Sequence, residues 1–341
     1  MSTTLQNTPG TARAADDALV RLEGVSKHYR ISRSQGLRTT HSTLRAVDDV
    51  SLDIRRGETV GLVGESGSGK STLGRLAVRL LEPTSGSVRF DGQDISHLSA
   101  RRMRALRRHM QVVFQDPMGS IDPRMAVGEI VGEPLTVLGG LRGREREERV
   151  AELLTLVGLD PALARSGARS LSGGQRQRIG IARAIAVNPA FVLADEPVSA
   201  LDVSVQAQIS NLLVELRERL SLTYLFIGHG LPIVRQVAQR VAVMYLGRIV
   251  EIGPTDELFE RPLHPYTRAL ISASPEATVG DARRERIVLA GDPPSATDLP
   301  SGCRFRTRCP IARDICAEIE PPRMDPRAAH AAECHFPGEF S

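Results

Sequence analysis

The sequence contains no tryptophan, and aromatic residues make up only 4% of its 341 positions. Proteins that hold single-stranded nucleic acid stack its bases on aromatic side chains, so this scarcity argues against such a surface. The net charge is also small, because 44 basic residues face 40 acidic ones. The basic run at residues 101–108 is interpreted as a solvated helix face. We therefore expect no nucleic-acid partner.

Long apolar runs are missing as well. No stretch reaches the roughly 18 consecutive apolar residues of a membrane-spanning helix. Residues 1–17 are small and polar and lack the basic start and apolar core of a signal peptide, so we predict a disordered tail there. We expect a cytoplasmic protein that reaches the membrane only through a partner.

Cysteine is confined to one end of the chain, with the spacing C-x5-C-x6-C-x17-C at Cys303, Cys309, Cys316 and Cys334. A disulfide framework is not expected in a reducing compartment. Four thiolates suit either tetrahedral Zn²⁺ or a [4Fe–4S] cluster. The wide gaps lack the paired C-x2-C of common zinc sites and favour iron–sulfur. The alternatives are zinc, with His330 or His335 as substitute ligands, and thiols that bind no metal.

The order of patterns predicts an α/β fold with parallel strands. Strand patterns occupy residues 19–31 and 46–54, with a loop expected at residues 31–44. Residues 241–253 are predicted as one strand, and residues 116–186 as a helical subdomain. From about residue 260 the chain is rich in proline and arginine and shows little periodicity. We predict a tail at 1–17, a catalytic domain at 18–259 and a C-terminal extension at 260–341, with no internal repeat.

A glycine-rich stretch follows the apolar strand pattern at residues 59–64 and fits G-x-x-x-x-G-K-[ST]. Its residues are Gly64, Glu65, Ser66, Gly67, Ser68, Gly69, Lys70 and Ser71, followed by Thr72. Glycines let backbone N–H groups converge on phosphate oxygens, and the N-terminus of the following helix favours the same anion. We expect Lys70 to bind the β- and γ-phosphates of ATP and the Ser71 hydroxyl to bind Mg²⁺. A chance glycine turn is the alternative.

An apolar strand pattern at residues 191–195 ends in Asp195, and Glu196 follows at once. Beside a phosphate-binding loop, Asp195 would hold Mg²⁺ through water. Glu196 would then polarise the attacking water as a general base. Two solvated acids at a strand end are the alternative interpretation, and the loop earlier in the chain favours the catalytic one.

Residues 171–175 read LSGGQ, and an apolar helical pattern and then the Asp195 strand follow. This order resembles the signature region of the ABC ATPase family. Four further positions match family motifs: Tyr29 the aromatic that stacks on adenine, Gln115 the Q-loop, Asp202 the D-loop and His229 the switch histidine. The motifs span residues 29–229, and the flanking strands extend the resemblance to about residue 253. The fold implied is a P-loop nucleotide-binding domain.

The resemblance also implies a mechanism. Two cassettes of this family pair head to tail, and each ATP lies between the phosphate-binding loop of one and the signature of the other. The partner's ATP would meet Ser172, Gly173, Gly174 and Gln175. Catalysis would fall to Glu196, His229 and Gln115, and Mg²⁺ would be held by Ser71, Gln115 and Asp195. ATP hydrolysis would then drive a separate membrane protein.

Several longer stretches, including residues 44–76 and the His264-Pro265-Tyr266-Thr267 segment, resemble the dipeptide/oligopeptide importer branch, and in particular its second ATPase subunit. This implies a heterodimer with a different ATPase, two permease subunits and an extracytoplasmic solute-binding protein, with this chain peripheral on the cytoplasmic face. A [4Fe–4S] cluster is a plausible trait of the branch. Relatives carry nickel, glutathione or other small solutes, which stay open as alternatives to peptides. A soluble ABC ATPase acting on nucleic acid or ribosomes is a further alternative.

One position departs from the family pattern. The family reads Ser-His-Asp at the switch histidine, whereas this chain reads Gly228-His229-Gly230. Loss of the acid removes a local hydrogen-bond partner, and two glycines loosen the backbone. Slow turnover at this ATP site and tolerated drift are both open interpretations.

Overall fold

The computed structural model describes residues 17–35, 38–116, 119, 121–199, 201–228, 230–274 and 287–340. Within these ranges the chain forms two β-sheets. The smaller sheet contains β1 (Ala18–Gln35), β2 (Arg38–Arg55), β4 (Ser85–Phe90) and β5 (Gln93–Asp94). The larger sheet contains β3 (Thr59–Val63), β6 (Met110–Val113), β7 (Phe191–Asp195), β8 (Thr223–Ile227), β9 (Arg240–Tyr245), β10 (Arg248–Pro254), β11 (Arg323–Arg327) and β12 (His330–Glu333).

Helices connect and cover these strands. They are α1 (Lys70–Ala77), α2 (Ala100–Leu106), α3 (Val127–Val137), α4 (Gly143–Leu156), α5 (Gly173–Ile185), α6 (Val203–Leu220), α7 (Leu231–Val237), α8 (Thr255–Glu260), α9 (Pro265–Ala273) and α10 (Ile315–Glu318). Single 3-10 turns lie at Arg107–His109, Pro161–Arg165 and Ala168–Ser170. In the described part of the chain, no helix combines the length and apolarity needed to cross a membrane.

The larger sheet has the order β11-β12-β10-β9-β3-β8-β7-β6. The run from β9 to β6 is parallel, which confirms the predicted α/β fold. In register, Leu62 lies opposite Ile227, and Ile227 lies opposite Asp195. The carboxyl ends of β3, β8, β7 and β6 therefore meet at one edge of the sheet, where ligands bind in open α/β folds.

Apolar layers cover both faces of this parallel sheet. Strands β3, β7 and β8 are buried along their whole lengths. On β7, Leu193 packs into the layer shared with the smaller sheet and α1, whereas Val192 and Ala194 pack into the layer formed by helices on the opposite face. Side chains on a strand point alternately to its two faces, so a continuous apolar run fits a strand covered on both sides.

The prediction of a loop at residues 31–44 was wrong. Residues 31–35 and 38–44 extend two long strands, and β1 pairs with β2 from Ala18–Arg55 to Gln35–Arg38. Backbone ladders do not need apolar side chains, and the threonines of this segment favour extended conformations. The single strand predicted at residues 241–253 was also wrong. It is an antiparallel hairpin, β9 and β10, that turns at Leu246 and Gly247, both of which have positive φ.

The basic run at residues 101–108 forms α2 and the following 3-10 turn. Arg101, Arg102, Arg104 and Arg108 are exposed, as a solvated face requires. Arg107 differs, because its guanidinium donates to the backbone carbonyls of Val78 and Arg79. This arginine therefore closes the turn after α1 and is not part of a free basic surface.

The C-terminal extension joins the same sheet as the catalytic domain. Strand β12 pairs with β10, with Ala331 opposite Ile252 and Ala332 opposite Glu251. The tail predicted at residues 1–17 lies outside the described residues except for Asp17. The predicted catalytic domain (residues 18–259) and the predicted extension (residues 260–341) therefore both contribute strands to the larger sheet.

Candidate active site

The phosphate-binding loop (residues 64–71) connects β3 to α1. Gly64 and Gly69 have φ angles of 150° and 107°, in the region that favours glycine. A Cβ at Gly64 would lie 2.1 Å from the carbonyl oxygen of Met244, and one at Gly69 would lie 2.1 Å from that of Ala46. Both positions therefore require glycine for conformation and for close backbone approach.

Lys70 begins α1 with its side chain turned back into the loop. It is 4% exposed, and its Nζ donates to the carbonyl oxygens of Gly64 and Glu65, both at 2.9 Å. Burial lowers the pKa of Lys70, while the carboxylates of Glu196, Asp195 and Glu65 oppose that shift. The ammonium is thus held at the loop in a buried, acid-rich setting, ready for a phosphate group.

Ser71 and Asp195 meet although they lie on different elements. The Ser71 hydroxyl donates to Asp195 Oδ1 at 2.9 Å, and Asp195 is 3% exposed at the end of β7. An alcohol and a carboxylate oxygen in contact are the hard oxygen ligands that Mg²⁺ prefers. These two residues therefore fit the ion that the sequence predicts here.

Glu196 follows Asp195 in a left-handed conformation with φ of 51°. Its N–H donates to the carbonyl of Ile227 at 3.0 Å, and its own carbonyl accepts from the Ser199 N–H and hydroxyl. A non-glycine residue at positive φ is costly and persists where surrounding contacts fix it. These backbone contacts fix the direction in which the Glu196 side chain leaves the main chain. The residue is only 6% exposed.

Gln115 lies two residues beyond β6 and is exposed. Because β6 pairs in parallel with β7, it lies at the same sheet edge as Asp195. Tyr29 is half-buried on β1 opposite Leu44, which lies two residues before the Ala46 carbonyl that contacts the loop. His229 lies outside the described residues.

The signature residues form a helix start. Ser172 is the N-cap of α5, and its hydroxyl accepts from the Gln175 N–H at 3.2 Å while its own N–H donates to the Gln175 side chain at 2.9 Å. Ser172 and Gly173 are exposed. This reciprocal capping box leaves the first amides of the helix facing solvent, where they can bind an anion. These hydrogen bonds stay within the signature and do not reach the phosphate-binding loop.

Asp202 caps the next helix. Its carboxylate accepts from the Ser204 hydroxyl at 2.7 Å and from the Val205 N–H at 3.0 Å at the start of α6. These two hydrogen bonds hold the pKa of Asp202 below its usual range. The D-loop aspartate is therefore ionised and fixed at a helix N-terminus.

The two glycines around the switch histidine differ in environment. A Cβ at Gly228 would lie 2.5 Å from a Val234 methyl group, whereas one at Gly230 would meet only Ile233, at 3.7 Å. Gly230 is the N-cap of α7 and makes no side-chain cap. Close packing therefore requires a glycine at position 228. At position 230 there is room for an aspartate side chain, and an aspartate there could cap α7.

We expect Gly230→Asp to fold and to stabilise the protein by about 0.5 kcal/mol, because aspartate caps helix N-termini. Thermal unfolding measures this gain, with Gly228→Ser as the destabilised control. ATPase activity of the variant in the assembled transporter then separates the two interpretations of the sequence. Faster turnover supports a slow native site, and unchanged turnover supports drift.

Sequence reasoning missed two side chains that contact the phosphate-binding loop. The Tyr266 hydroxyl accepts from the Glu65 N–H at 2.8 Å, and Arg308 donates two hydrogen bonds to the Glu65 carboxylate at 2.9 and 3.1 Å. Burial acts to lower the pKa of Arg308, but the hydrogen bonds to Glu65 and Tyr245, together with the charges of those two groups, outweigh burial and raise that pKa. In the sequence, the His-Pro-Tyr stretch at residues 264–266 marks Tyr266 as unusual, and no comparable pattern marks Arg308.

The four cysteines come together in the C-terminal extension, and none forms a disulfide. The Cys303 N–H donates to the Cys316 carbonyl at 2.8 Å. Burial, with smaller contributions from the neighbouring thiols, raises the pKa of Cys303 to about 11 and of Cys334 to about 12. Four thiolates are a donor set that suits zinc or an iron–sulfur cluster. Among the described residues, however, no group of three or more side chains stands in metal-binding geometry.

The structure gives the two histidines named as substitute zinc ligands other hydrogen-bond partners. His330 is fully buried, and its Nε2 hydrogen bonds to Glu251 at 2.7 Å. His335 donates from Nε2 to the carbonyl of Ile319 at 3.0 Å. Each imidazole therefore donates a hydrogen bond to a group other than a cysteine. The acceptors are the buried Glu251 carboxyl group and the Ile319 carbonyl, and a buried acceptor is normally satisfied by a donor.

Two family profiles match the chain in succession. The profile described as ABC transporter covers residues 47–199, and that described as the oligopeptide/dipeptide transporter C-terminal region covers residues 250–316. Among solved structures, the fold is similar to the dimeric, post-hydrolysis ATP-binding cassette MJ0796 bound to ADP and Pi, with TM-score 0.60, 32% identity and coverage of 69% of this chain and 98% of that one. It is also similar to cbiO1 of Clostridium perfringens, with TM-score 0.62, 29% identity and coverage of 72% and 91%.

Curated relatives align far beyond these motifs. A putative peptide import ATP-binding protein of Brucella ovis is 53% identical over 316 residues, which covers 93% of this chain and 97% of the relative. The oligopeptide transport ATP-binding protein AppF of Bacillus subtilis is 48% identical over 325 residues, with coverage of 95% and 98%. Since the similarity runs along nearly the whole of each protein, this chain belongs to the ATP-binding proteins of the ABC transporter family.

Proposed function

We propose that the chain is the ATP-hydrolysing subunit that powers peptide import through separate membrane permeases. One observation carries this proposal. The phosphate-binding loop, with Lys70 and Ser71, meets the Asp195–Glu196 strand end at one sheet edge, and this nucleotide site is followed by a C-terminal region of the oligopeptide/dipeptide transporter type. The named relatives support peptides as the solute class.

At this site we assign the ATP contacts by element. Tyr29 would stack on the base, the loop amides and Lys70 would bind the phosphates, and Ser71, Asp195 and Gln115 would hold Mg²⁺. Bound there, the ion would supply positive charge to the β- and γ-phosphates. Glu196 accepts a proton from the attacking water, and His229 contacts the γ-phosphate. The exposed position of Gln115 at the same edge supports a role in relaying the state of the site to a permease.

A second cassette completes the site in this proposal. The exposed start of α5 offers Ser172 and the amides of Gly173 and Gly174 to the ATP of a partner subunit. Asp202 lies on the following loop of the same face. ATP then forms part of the interface, and its hydrolysis weakens the closed dimer relative to the open one. We propose a different ATPase subunit as this partner, by analogy with the importer branch.

The complete assembly in this proposal contains two ATPases, two permeases and an extracytoplasmic peptide-binding protein, with this chain peripheral on the cytoplasmic face. The test is uptake of labelled peptides into vesicles that contain the co-purified complex and internal ATP. We expect uptake to require ATP and to cease with Glu196→Gln. Uptake of nickel or glutathione in place of peptides would replace the solute assignment, and ATPase activity without uptake of any solute would contradict the transport role.

We also propose that Cys303, Cys309, Cys316 and Cys334 hold a [4Fe–4S] cluster. The number of thiols, four with no spare, and their proximity in one segment support this, and metal binding would offset the raised pKa values by replacing their protons. A cluster would fix the extension and is assigned no transport chemistry. Anaerobically purified protein should contain about four iron and four sulfide per chain. One zinc, or no metal, would contradict the proposal.

A further inference from the structure

Glu65, in the phosphate-binding loop, has every polar group engaged. Its N–H donates to the Tyr266 hydroxyl, and its carboxylate accepts two hydrogen bonds from Arg308. Its carbonyl oxygen accepts from Lys70 at 2.9 Å and from the Ser68 N–H at 3.2 Å. Two of these four partners come from the C-terminal extension and not from the nucleotide-binding core, so the loop is supported in part by residues distant in sequence.

Tyr266 is placed by a rigid local framework. It is fully buried in the first turn of α9, with its ring centroid 4.7 Å from that of Tyr245 and 5.4 Å from that of Phe305. The Tyr266 N–H donates to His264 Nδ1 at 3.1 Å, and burial keeps His264 neutral by lowering its pKa to about 3. The hydroxyl therefore has little freedom to leave Glu65.

The turn ahead of α9 is fixed in the same way. The carboxylate of Glu251, which is 1% exposed, accepts from the Leu263 N–H at 2.7 Å and the His264 N–H at 2.8 Å. It also binds His330 on β12. A buried carboxyl group with three hydrogen bonds holds its partners firmly, because releasing them would leave buried polar oxygens unsatisfied. The position of Tyr266 is therefore set by the sheet itself.

Arg308 reaches Glu65 from the cysteine-bearing segment. Its side chain is 8% exposed and that of Glu65 is 27% exposed. The Arg308 N–H donates to the Phe305 carbonyl at 3.0 Å, and Cys309 is the next residue. A bidentate, largely buried arginine–carboxylate pair is directional and poorly screened, unlike ion pairs on the open surface.

We propose that Tyr266 and Arg308 are positioning residues for ATP binding, which hold Glu65 so that the loop keeps its shape when Lys70 moves. Without ATP, Lys70 also ties the loop through the Gly64 and Glu65 carbonyls. Binding of phosphate takes Lys70 away from these carbonyls. The two contacts from the extension then remain, beside the hydrogen bond from the Ser68 N–H to the Glu65 carbonyl, as the support of this end of the loop, and this inference rests on the proposed ATP site.

The test compares nucleotide affinities of purified full-length variants by fluorescence titration with a labelled ATP analogue. We expect Arg308→Met and Glu65→Gln each to weaken binding roughly three- to tenfold. The double variant should bind no more weakly than either single one, because both remove the same contact. Arg313→Met is the matched control. It removes an exposed ion pair with Glu339 in the same extension and should bind as the wild type does.

Tyr266→Phe tests the same loop without touching the ion pair. It keeps the buried ring and removes only the hydroxyl, so it answers the question even if Arg308→Met does not fold. We expect binding weaker by roughly two- to fivefold, with a raised KM for ATP and a nearly unchanged kcat. Thermal unfolding without nucleotide gives the separate effect on stability.

Three outcomes would overturn the inference. Affinities equal to wild type in both Arg308→Met and Tyr266→Phe would show that the contacts only join the extension to the core. Additive losses in the Arg308→Met/Glu65→Gln variant would show that Arg308 does not act through Glu65. A wild-type chain that binds no ATP would overturn the proposed function and this inference with it.

Discussion

Replacing Glu196 by glutamine should leave ATP binding intact and slow hydrolysis by about a hundred- to a thousandfold, the usual contribution of a general base. Glutamine has the same size but accepts no proton from the attacking water. The backbone that aims this side chain does not depend on its charge, since it is fixed by the Ile227 carbonyl and by Ser199. Binding and catalysis should therefore separate.

Measurement of ATP affinity and steady-state turnover on the same preparation checks this separation. Glu215→Gln serves as the matched control, because Glu215 forms an exposed pair with Arg219 on α6. It should hydrolyse ATP at the wild-type rate. Near-normal turnover by Glu196→Gln would exclude Glu196 as the base and direct attention to another group at the same edge.

Replacing Lys70 by methionine should lower the affinity for ATP by about a hundredfold or more. Lys70 supplies the compact charge for the β- and γ-phosphates, and hydrogen bonds to charged groups contribute about 1.5–3 kcal/mol each. Methionine retains the apolar stem in a site that leaves the lysine only 4% exposed. The fold should persist, because the lost ammonium donates only to two carbonyls of the loop.

Calorimetric titrations with ATP and with AMP test this directly. AMP lacks the β- and γ-phosphates, so its weak affinity should be the same in Lys70→Met and in wild type. Equal losses for both nucleotides would indicate a collapsed loop and not a missing charge. An unchanged affinity for ATP would contradict the role given to Lys70.

The sequence predicts those parts of the candidate site in which a short local pattern contains the residues that act on the ligand. The loop at residues 64–71 and the strand that ends at Asp195 each have their own signature, and parallel strands bring their ends together whatever lies between. The contact between Ser71 and Asp195 follows from that topology. The residue types in the loop and at the strand end therefore allow few other interpretations of this edge of the sheet.

The support of Glu65 could not be found in this way. Its partners lie 201 and 243 residues away in sequence, and a single tyrosine or arginine carries no pattern that names its contact. The continuation of β1 to Gln35 and the start of β2 at Arg38 were missed for a related reason. Their ladder of backbone hydrogen bonds leaves no apolar alternation to detect.

Glu251 has a consequence for how this type of chain can change in evolution. Its carboxylate is buried in β10, and all three of its hydrogen-bond donors lie beyond residue 260. A cassette that lost the extension would leave this carboxylate without its three donors and would expose β10 as an open edge that can pair with another chain. Loss of the extension in evolution would therefore require new cover for the β10 edge.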